Sequence, residues 1–226
     1  MTYSALRKLF FSVFLLLLST QSVLAVVESA EPKWKLEKEK SGVQIYTGNN
    51  EGSGLVTYKA VTEVNTPLSN LFNFLQDVNV TTSWLYNLKS IVRLGTKDFY
   101  ETDYYVIYST PWPVSDVSAV LRATWQYDQA NKLLKNSTVS VDTEQFRDDG
   151  YMHIPLIETH NRFQKIGNDK VKLSFQVTID HGYAVPDLIV DSVSIDTLYE
   201  TLINLQGVDY MKYGDTNLLN ELLHDK

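Results

Sequence analysis

Val171-Lys-Leu-Ser-Phe-Gln-Val-Thr-Ile-Asp180 alternates apolar and polar side chains without a break. Pro186-Asp187 then opens a differently spaced stretch, in which Leu188, Ile195, Leu198, Leu202 and Leu205 recur at helical intervals. In the first stretch Val171, Leu173, Phe175, Val177 and Ile179 share one face, opposite Lys172, Ser174, Gln176 and Thr178. One face is buried and the other wet, as in an antiparallel sheet. The second stretch is an amphipathic helix with Asp191, Asp196 and Glu200 elsewhere around it. A curved antiparallel sheet crossed by one long terminal helix leaves a space between the two, suited to an apolar ligand.

The chain upstream extends the same pattern. Glu28 to Lys40 is charged and reads as a tail or a short helical lead-in. Val43–Thr47 and Leu55–Val64 read as strands joined through the Gly/Asn-rich stretch 48–54. Thr66-Pro67 supplies an N-cap and a proline at the first helical position. Leu68, Leu71, Phe72, Leu75 and Val78 then fall on one helical face. Period two returns at Ser90–Leu94, Tyr100–Ser109, Val117–Tyr127, Asn136–Phe146 and Tyr151–Lys165, with a tight turn at Asn168-Asp169 before the last strand. No repeat, low-complexity tract or linker interrupts the series, so one domain over 26–226 is expected.

The first 25 residues stand apart. Arg7 and Lys8 precede the apolar run Leu9–Leu18, and small residues at Val23 and Ala25 follow, which predicts a secretory signal peptide cleaved after Ala25. The run is short against the ~20 residues of a membrane-spanning helix. Cleavage removes two basic residues and no acidic ones, leaving 201 residues with 18 basic and 27 acidic groups, a balance of −9. A protein in the periplasm or secreted is the expectation. Two sequons, Asn79-Val-Thr81 and Asn136-Ser-Thr138, would matter only in a eukaryotic secretory route.

Composition excludes several classes of function. The 226 residues contain no cysteine, which removes disulfides, thiol nucleophiles, Fe–S clusters and cysteine-ligated zinc. The net charge of −7 argues against nucleic acid as a partner. Aromatic residues make up 12%, including 14 tyrosines, so the chain is built to fold around a core.

The sequence carries none of the common catalytic motifs. There is no Gly-x-Ser-x-Gly elbow, no Gly-rich phosphate loop and no His-Glu-x-x-His pair. His153 and His160 lie seven apart on an expected strand, so their side chains face opposite sides and share no metal. His181, beside Asp180, is the one candidate general base, although a turn histidine with a local hydrogen bond is the preferred reading. Asp148-Asp149 reads as solvated loop charge. No enzyme, cofactor or metal is expected.

One motif remains, Pro111-Trp112-Pro113-Val114-Ser115-Asp116, in which two prolines stop a strand and fix an aromatic at its end. With Gly42–Thr47, Ser83-Trp84-Leu85-Tyr86, Asp180, Gly182, Pro186 and Thr201–Leu205 in order, it resembles the START lipid-binding domains of the helix-grip (SRPBCC) superfamily. The likeness runs from about Trp34 to Leu205. The signal peptide makes the small exported bacterial members the nearer comparison. Departures fall at the ligand end and the lid. Val117-Ser118 stands where the family has Arg-Asp, His181-Gly182 replaces paired glycines, and Leu188 and Asp191 replace a Trp and an Asn.

The resemblance implies an α+β helix-grip fold, a curved antiparallel sheet wrapped around a long C-terminal helix. It also implies a hydrophobic cavity holding one lipid or sterol-like molecule without covalent chemistry, with that helix as lid. Trp84, Tyr104, Tyr108, Trp112, Leu121, Trp125 and Phe175 are expected to approach the cavity, and Leu188, Ile195, Leu198 and Leu202 to close it. Arg122, between apolar Leu121 and Ala123, could meet a polar headgroup, but the outer face of the sheet is the preferred reading. Transient membrane contact and a monomer complete the expectation. The alternative is a cyclase-, aromatase- or hydrolase-like enzyme on the same scaffold, using His181 and Asp180.

Overall fold

A computed structural model describes residues 33–49, 54–98, 100–111, 115–143, 146, 150–180, 182, 186–214 and 218–224. At 96–98, 187, 223 and 224 it describes the backbone alone. The expected signal peptide, Trp112 and His181 lie outside these residues. Residues 32–226 form one compact unit.

Ten strands are present among the described residues: β1 (Lys35–Lys40), β2 (Val43–Asn49), β3 (Val56–Val64), β4 (Leu88–Asp98), β5 (Glu101–Tyr108), β6 (Val117–Asp128), β7 (Leu133–Ser140), β8 (Met152–His153), β9 (Leu156–Gly167) and β10 (Lys170–Asp180). They form one sheet in the order β1-β2-β3-β10-β9-β7-β6-β5-β4, antiparallel along this path. The short β8 pairs in parallel with the start of β6. The chain returns from β3 to the far edge at β4 through helix α1 (Leu68–Gln76), a 3-10 turn and the single-turn helix α2 (Thr81–Trp84). After β10 the long helix α3 (Asp187–Gln206) packs on β2 and β3. This is the helix-grip fold expected from the sequence.

The alternation of β10 holds in its first half; at the far end Thr178, read as wet, is buried with its hydroxyl 2.8 Å from that of Thr57, and Val177 and Ile179 are half-buried. Val171 and Leu173 are fully buried and Phe175 nearly so, while Lys172 is exposed. Phe72 anchors α1 against this wall by an edge-on contact with Trp125 at 5.1 Å. Trp125 stacks on Phe163 at 5.9 Å, and Phe163 meets Phe175 edge-on at 5.8 Å. This ladder ties α1, β6, β9 and β10 into one core.

Several local expectations fail for identifiable reasons. Within the charged segment, Lys35–Lys40 is an edge strand, not a tail or helix, and residues 28–32 lie outside the described residues. Its Lys/Glu sequence carries no apolar face to announce it, and its pairing with β2 holds it through the backbone. Thr66 does not cap α1; its hydroxyl donates to the Pro67 carbonyl at 3.2 Å, and the helix begins after Pro67 with no side-chain cap. The strand expected over Tyr151–Lys165 is interrupted at Ile154-Pro155, because proline has no N–H for the ladder. The strand expected over Asn136–Phe146 starts earlier, at Leu133, and stops at Ser140.

The wet side of α1 is also covered. Asn70 donates to the Tyr210 carbonyl at 3.2 Å and Asn73 to the Tyr213 carbonyl at 2.7 Å. These partners belong to a 3-10 turn, Tyr210–Tyr213, that follows α3, with a last helix α4 (Leu218–His224) behind it. Nothing in the alternation of the upstream chain announces this C-terminal cover.

Gly182, just past β10, has φ of +69° and lies so close to Pro155 that a Cβ would sit 2.7 Å from its Cγ. Gly182→Ala therefore meets both a left-handed backbone and a ring that cannot swing away. A loss of about 1–3 kcal/mol in urea-unfolding free energy is expected, from the strain such positions carry. An unchanged midpoint would show that the turn relaxes freely.

Candidate functional site

A cavity of about 320 Å3 lies between the concave face of the sheet and α3. Its walls draw on both apolar clusters of the protein, the main core and a smaller one built on Leu88, Val106, Val117, Leu121, Ile154 and Ile157. Strand alternation puts side chains there: Leu121, Ala123 and Trp125 from β6, Ile157 and Phe163 from β9, and Phe175, Val177 and Ile179 from β10. The segment around α2 contributes Trp84 and Leu85, and β5 contributes Tyr104, Val106 and Tyr108.

Of the residues expected at the ligand, Trp84, Tyr104, Tyr108, Leu121, Trp125, Phe175 and Leu198 are brought together on this wall. Three others are not. Leu188 is 82% exposed on the first turn of α3. Leu202 is fully buried in the main core, and Ile195 packs against that same core. The helix was expected to present one apolar face to the cavity, but it has two. Ile189, Val190, Val193, Ser194, Thr197 and Thr201 line the cavity, while Ile195, Tyr199, Leu202 and Leu205 fill the core. At ~100° per residue the two faces are offset, with Leu198 on their shared border. The expected stripe follows the core face at Ile195, Leu202 and Leu205, meets the cavity only at Leu198, and faces solvent at Leu188.

Polar groups fasten α3 over the space. Tyr58 donates to Asp191 Oδ1, Asn87 Nδ2 donates to Thr197 Oγ1 at 2.9 Å, and the Tyr86 amide donates to Thr201 Oγ1 at 3.1 Å. Asn204 Nδ2 donates to the Trp84 carbonyl at 3.2 Å. Lys38 of β1 lies over the Tyr199 ring at 4.0 Å and pairs with Asp196 at 3.1 Å.

No Asp, Glu, Lys, Arg or His is among the described residues lining the cavity. Tyr108 is its most strongly perturbed titratable group: burial pushes the phenol up to about 12, because the ionised form loses its hydration. Its remaining open surface faces the cavity. Arg122 is on the outer face, as expected, donating twice to Asp103 across the β5–β6 pair at 2.8 and 3.0 Å. Asp180 accepts from the Gly182 amide at 2.9 Å, which commits that carboxylate to the turn. Among the described residues no group of three His, Asp or Glu side chains could hold a metal ion.

A second set of wall residues was not singled out from the sequence. Asn136 and Thr138 of β7 face the cavity beside Asn161 and Thr159 of β9, their cross-strand partners. Ordinary alternation places them there, since Leu134 and Phe163 on the same faces are buried. The sequon at Asn136 is thereby closed to glycosylation in the folded protein, the residue being 7% exposed. Asn79 is exposed.

The chain is similar in structure to a STAR-related lipid transfer protein from Xanthomonas axonopodis, with a TM-score of 0.69 and 22% identity over 76% of this chain and 96% of that one. Human StAR-related lipid transfer protein 5 matches with a TM-score of 0.69 and 14% identity, over 91% of this chain and 96% of that one. The lipid transfer and protein localization domain of human StarD13 gives 0.66 and 16%, over 79% and 91%. In sequence, an uncharacterised protein of Pseudomonas aeruginosa is 22% identical over 175 residues, 77% of this chain and 85% of its own. No family model matches. The fold is that of the START lipid-transfer domains.

Proposed function

We propose that this START-fold chain binds one lipid or other hydrophobic small molecule non-covalently in the cavity beneath α3, and carries it. The observation that supports this most is a mainly apolar chamber with no charged residue among its described lining. A chain burying roughly 300 Å2 of apolar surface gains about 7 kcal/mol at ~25 cal/mol per Å2. That is of the order of micromolar affinity before the costs of ordering. The volume lies near the lower end of the ~300–1,000 Å3 typical of ligand pockets, which favours one ligand per chain.

In this reading the protein is not an enzyme, and the first 25 residues are a cleaved signal peptide. The carrier then works as a monomer in the periplasm or outside the cell. No helix among the described residues is long and apolar enough to cross a membrane. Membrane contact is transient and little helped by charge, given the mature balance of −9.

Titration with Nile red, an uncharged apolar dye, tests the reading. A saturable fluorescence gain with one-to-one stoichiometry is expected; no saturable binding would refute it. Affinity should stay flat from about pH 5 to about pH 9, because the described wall carries no group titrating there. A bell-shaped profile would instead point to an acid–base pair and the enzymatic alternative. Stability has a separate alkaline limit. The raised phenol of Tyr108 keeps its proton in the fold, so its contribution is intact below the unfolded value near 10. It is lost as pH climbs toward about 12.

A further inference from the structure

The polar cluster on β7 and β9 is unusual for a wall that is otherwise mostly apolar. Asn136 Oδ1 accepts from Asn161 Nδ2 at 3.1 Å and from Thr138 Oγ1 at 3.3 Å, while Asn136 Nδ2 donates to the Thr124 carbonyl at 3.3 Å. Asn161 Nδ2 also reaches Thr159 Oγ1 at 3.5 Å. This network uses the amide of Asn136 on both sides and turns it away from any ligand. Three capacities are left over. Asn161 Oδ1 accepts no hydrogen bond from the described residues, the Thr159 hydroxyl donates none, and the Thr138 hydroxyl accepts none. Asn161, Thr138 and Thr159 are all only partly buried although they sit on the inner face of central strands, so their open surface is cavity surface.

Two acceptors and one donor, side by side on paired strands, match a group that both gives and takes a hydrogen bond. An alcohol does this, and so does a primary or secondary amide. A carboxylate or phosphate would need a cation, and none lines the described wall. Burying such a charge unpaired costs far more than a hydroxyl's hydrogen bonds return. A plain hydrocarbon would leave the three capacities unmet inside the protein, which is also unfavourable.

We infer that Thr138, Thr159 and Asn161 form a subsite for an uncharged hydroxyl or amide group, so that the cavity selects neutral, singly polar lipids over ionised ones. The inference rests on the lipid-binding reading above and narrows it to a ligand class.

The test is displacement of Nile red from the full chain at pH 8 by 1-dodecanol, dodecanoate and dodecane. 1-Dodecanol is expected to displace the dye at a concentration about tenfold lower than dodecanoate, which is ionised at that pH. It should also be about fivefold better than dodecane, the usual net yield of a hydrogen bond. Asn161→Leu and the isosteric Thr159→Val should each remove most of the advantage of dodecanol over dodecane while leaving dodecane within about twofold. Equal or better displacement by dodecanoate overturns the inference, as does a loss for dodecane as large as that for dodecanol in both variants. If Nile red does not bind and none of the three competes in any assay, the lipid-binding reading itself fails.

Discussion

Val193→Trp should reduce Nile red binding by at least about 100-fold without unfolding the protein. Val193 sits on the cavity face of α3, between Ile189 and Thr197 on successive turns. A tryptophan there projects an indole into a chamber of about 320 Å3 and occupies the room a ligand needs. Tryptophan buries roughly 150–250 Å2, so the filled cavity gains contacts that the empty one lacked. Overpacking in a tight core costs about 1–3 kcal/mol, but open space lowers that cost. A melting temperature within a few degrees of the parent is therefore expected alongside the loss of binding. Dye binding at parental strength would place the ligand somewhere other than this cavity.

The largest effect on stability is expected at Phe72→Ala, a residue that packs behind the cavity wall without lining it. Phe72 is fully buried and carries the edge-on contact that joins α1 to Trp125 and thus to the aromatic ladder across β6, β9 and β10. Truncating a buried phenylalanine removes both the transfer gain and the packing around it, about 3–5 kcal/mol. For a domain of this size each kcal/mol moves the melting temperature by ~2–4 °C, so a drop of roughly 6–20 °C should appear in a thermal melt. A shift of a degree or two would mean that the ladder is not what couples the helix to the sheet.

The sheet could be read from the sequence because its strands alternate. β10 shows Val171, Leu173 and Phe175 inward against Lys172 outward, and that period survives into the structure as far as Phe175; Thr178, read as wet, is buried against Thr57 of β3. β1 could not be read in this way. Its side chains are almost all solvated, and what makes it a strand is the unpaired edge of β2, a property of the neighbour. The lid helix was legible as a helix but not in its rotation. Leu188 and Leu202 look equivalent along the sequence, yet one is 82% exposed and the other fully buried. The cavity face is written in Ile189, Val190, Val193 and Thr197, mostly β-branched or polar residues that a search for leucines passes over.

Site residues followed the same division. The aromatic wall was found because large aromatic side chains at inward positions stand out. The polar row at Asn136, Thr138, Thr159 and Asn161 was hidden, because polar residues on a strand ordinarily mark its wet face. The pairing of β7 with β9 puts these four side by side on the buried side, flanked by Leu134 and Phe163. The signal that would have found them is phase: they sit an even number of residues from buried positions on their own strands.

Native mass spectrometry of the full protein, purified without detergent, tests the central claim most directly. The account predicts a one-to-one adduct of a few hundred daltons that survives gentle ionisation, is removed by organic extraction, and is absent from Val193→Trp. A clean apo mass, together with no adduct after incubation with neutral lipids such as long-chain alcohols, sterols and monoacylglycerols, would contradict it.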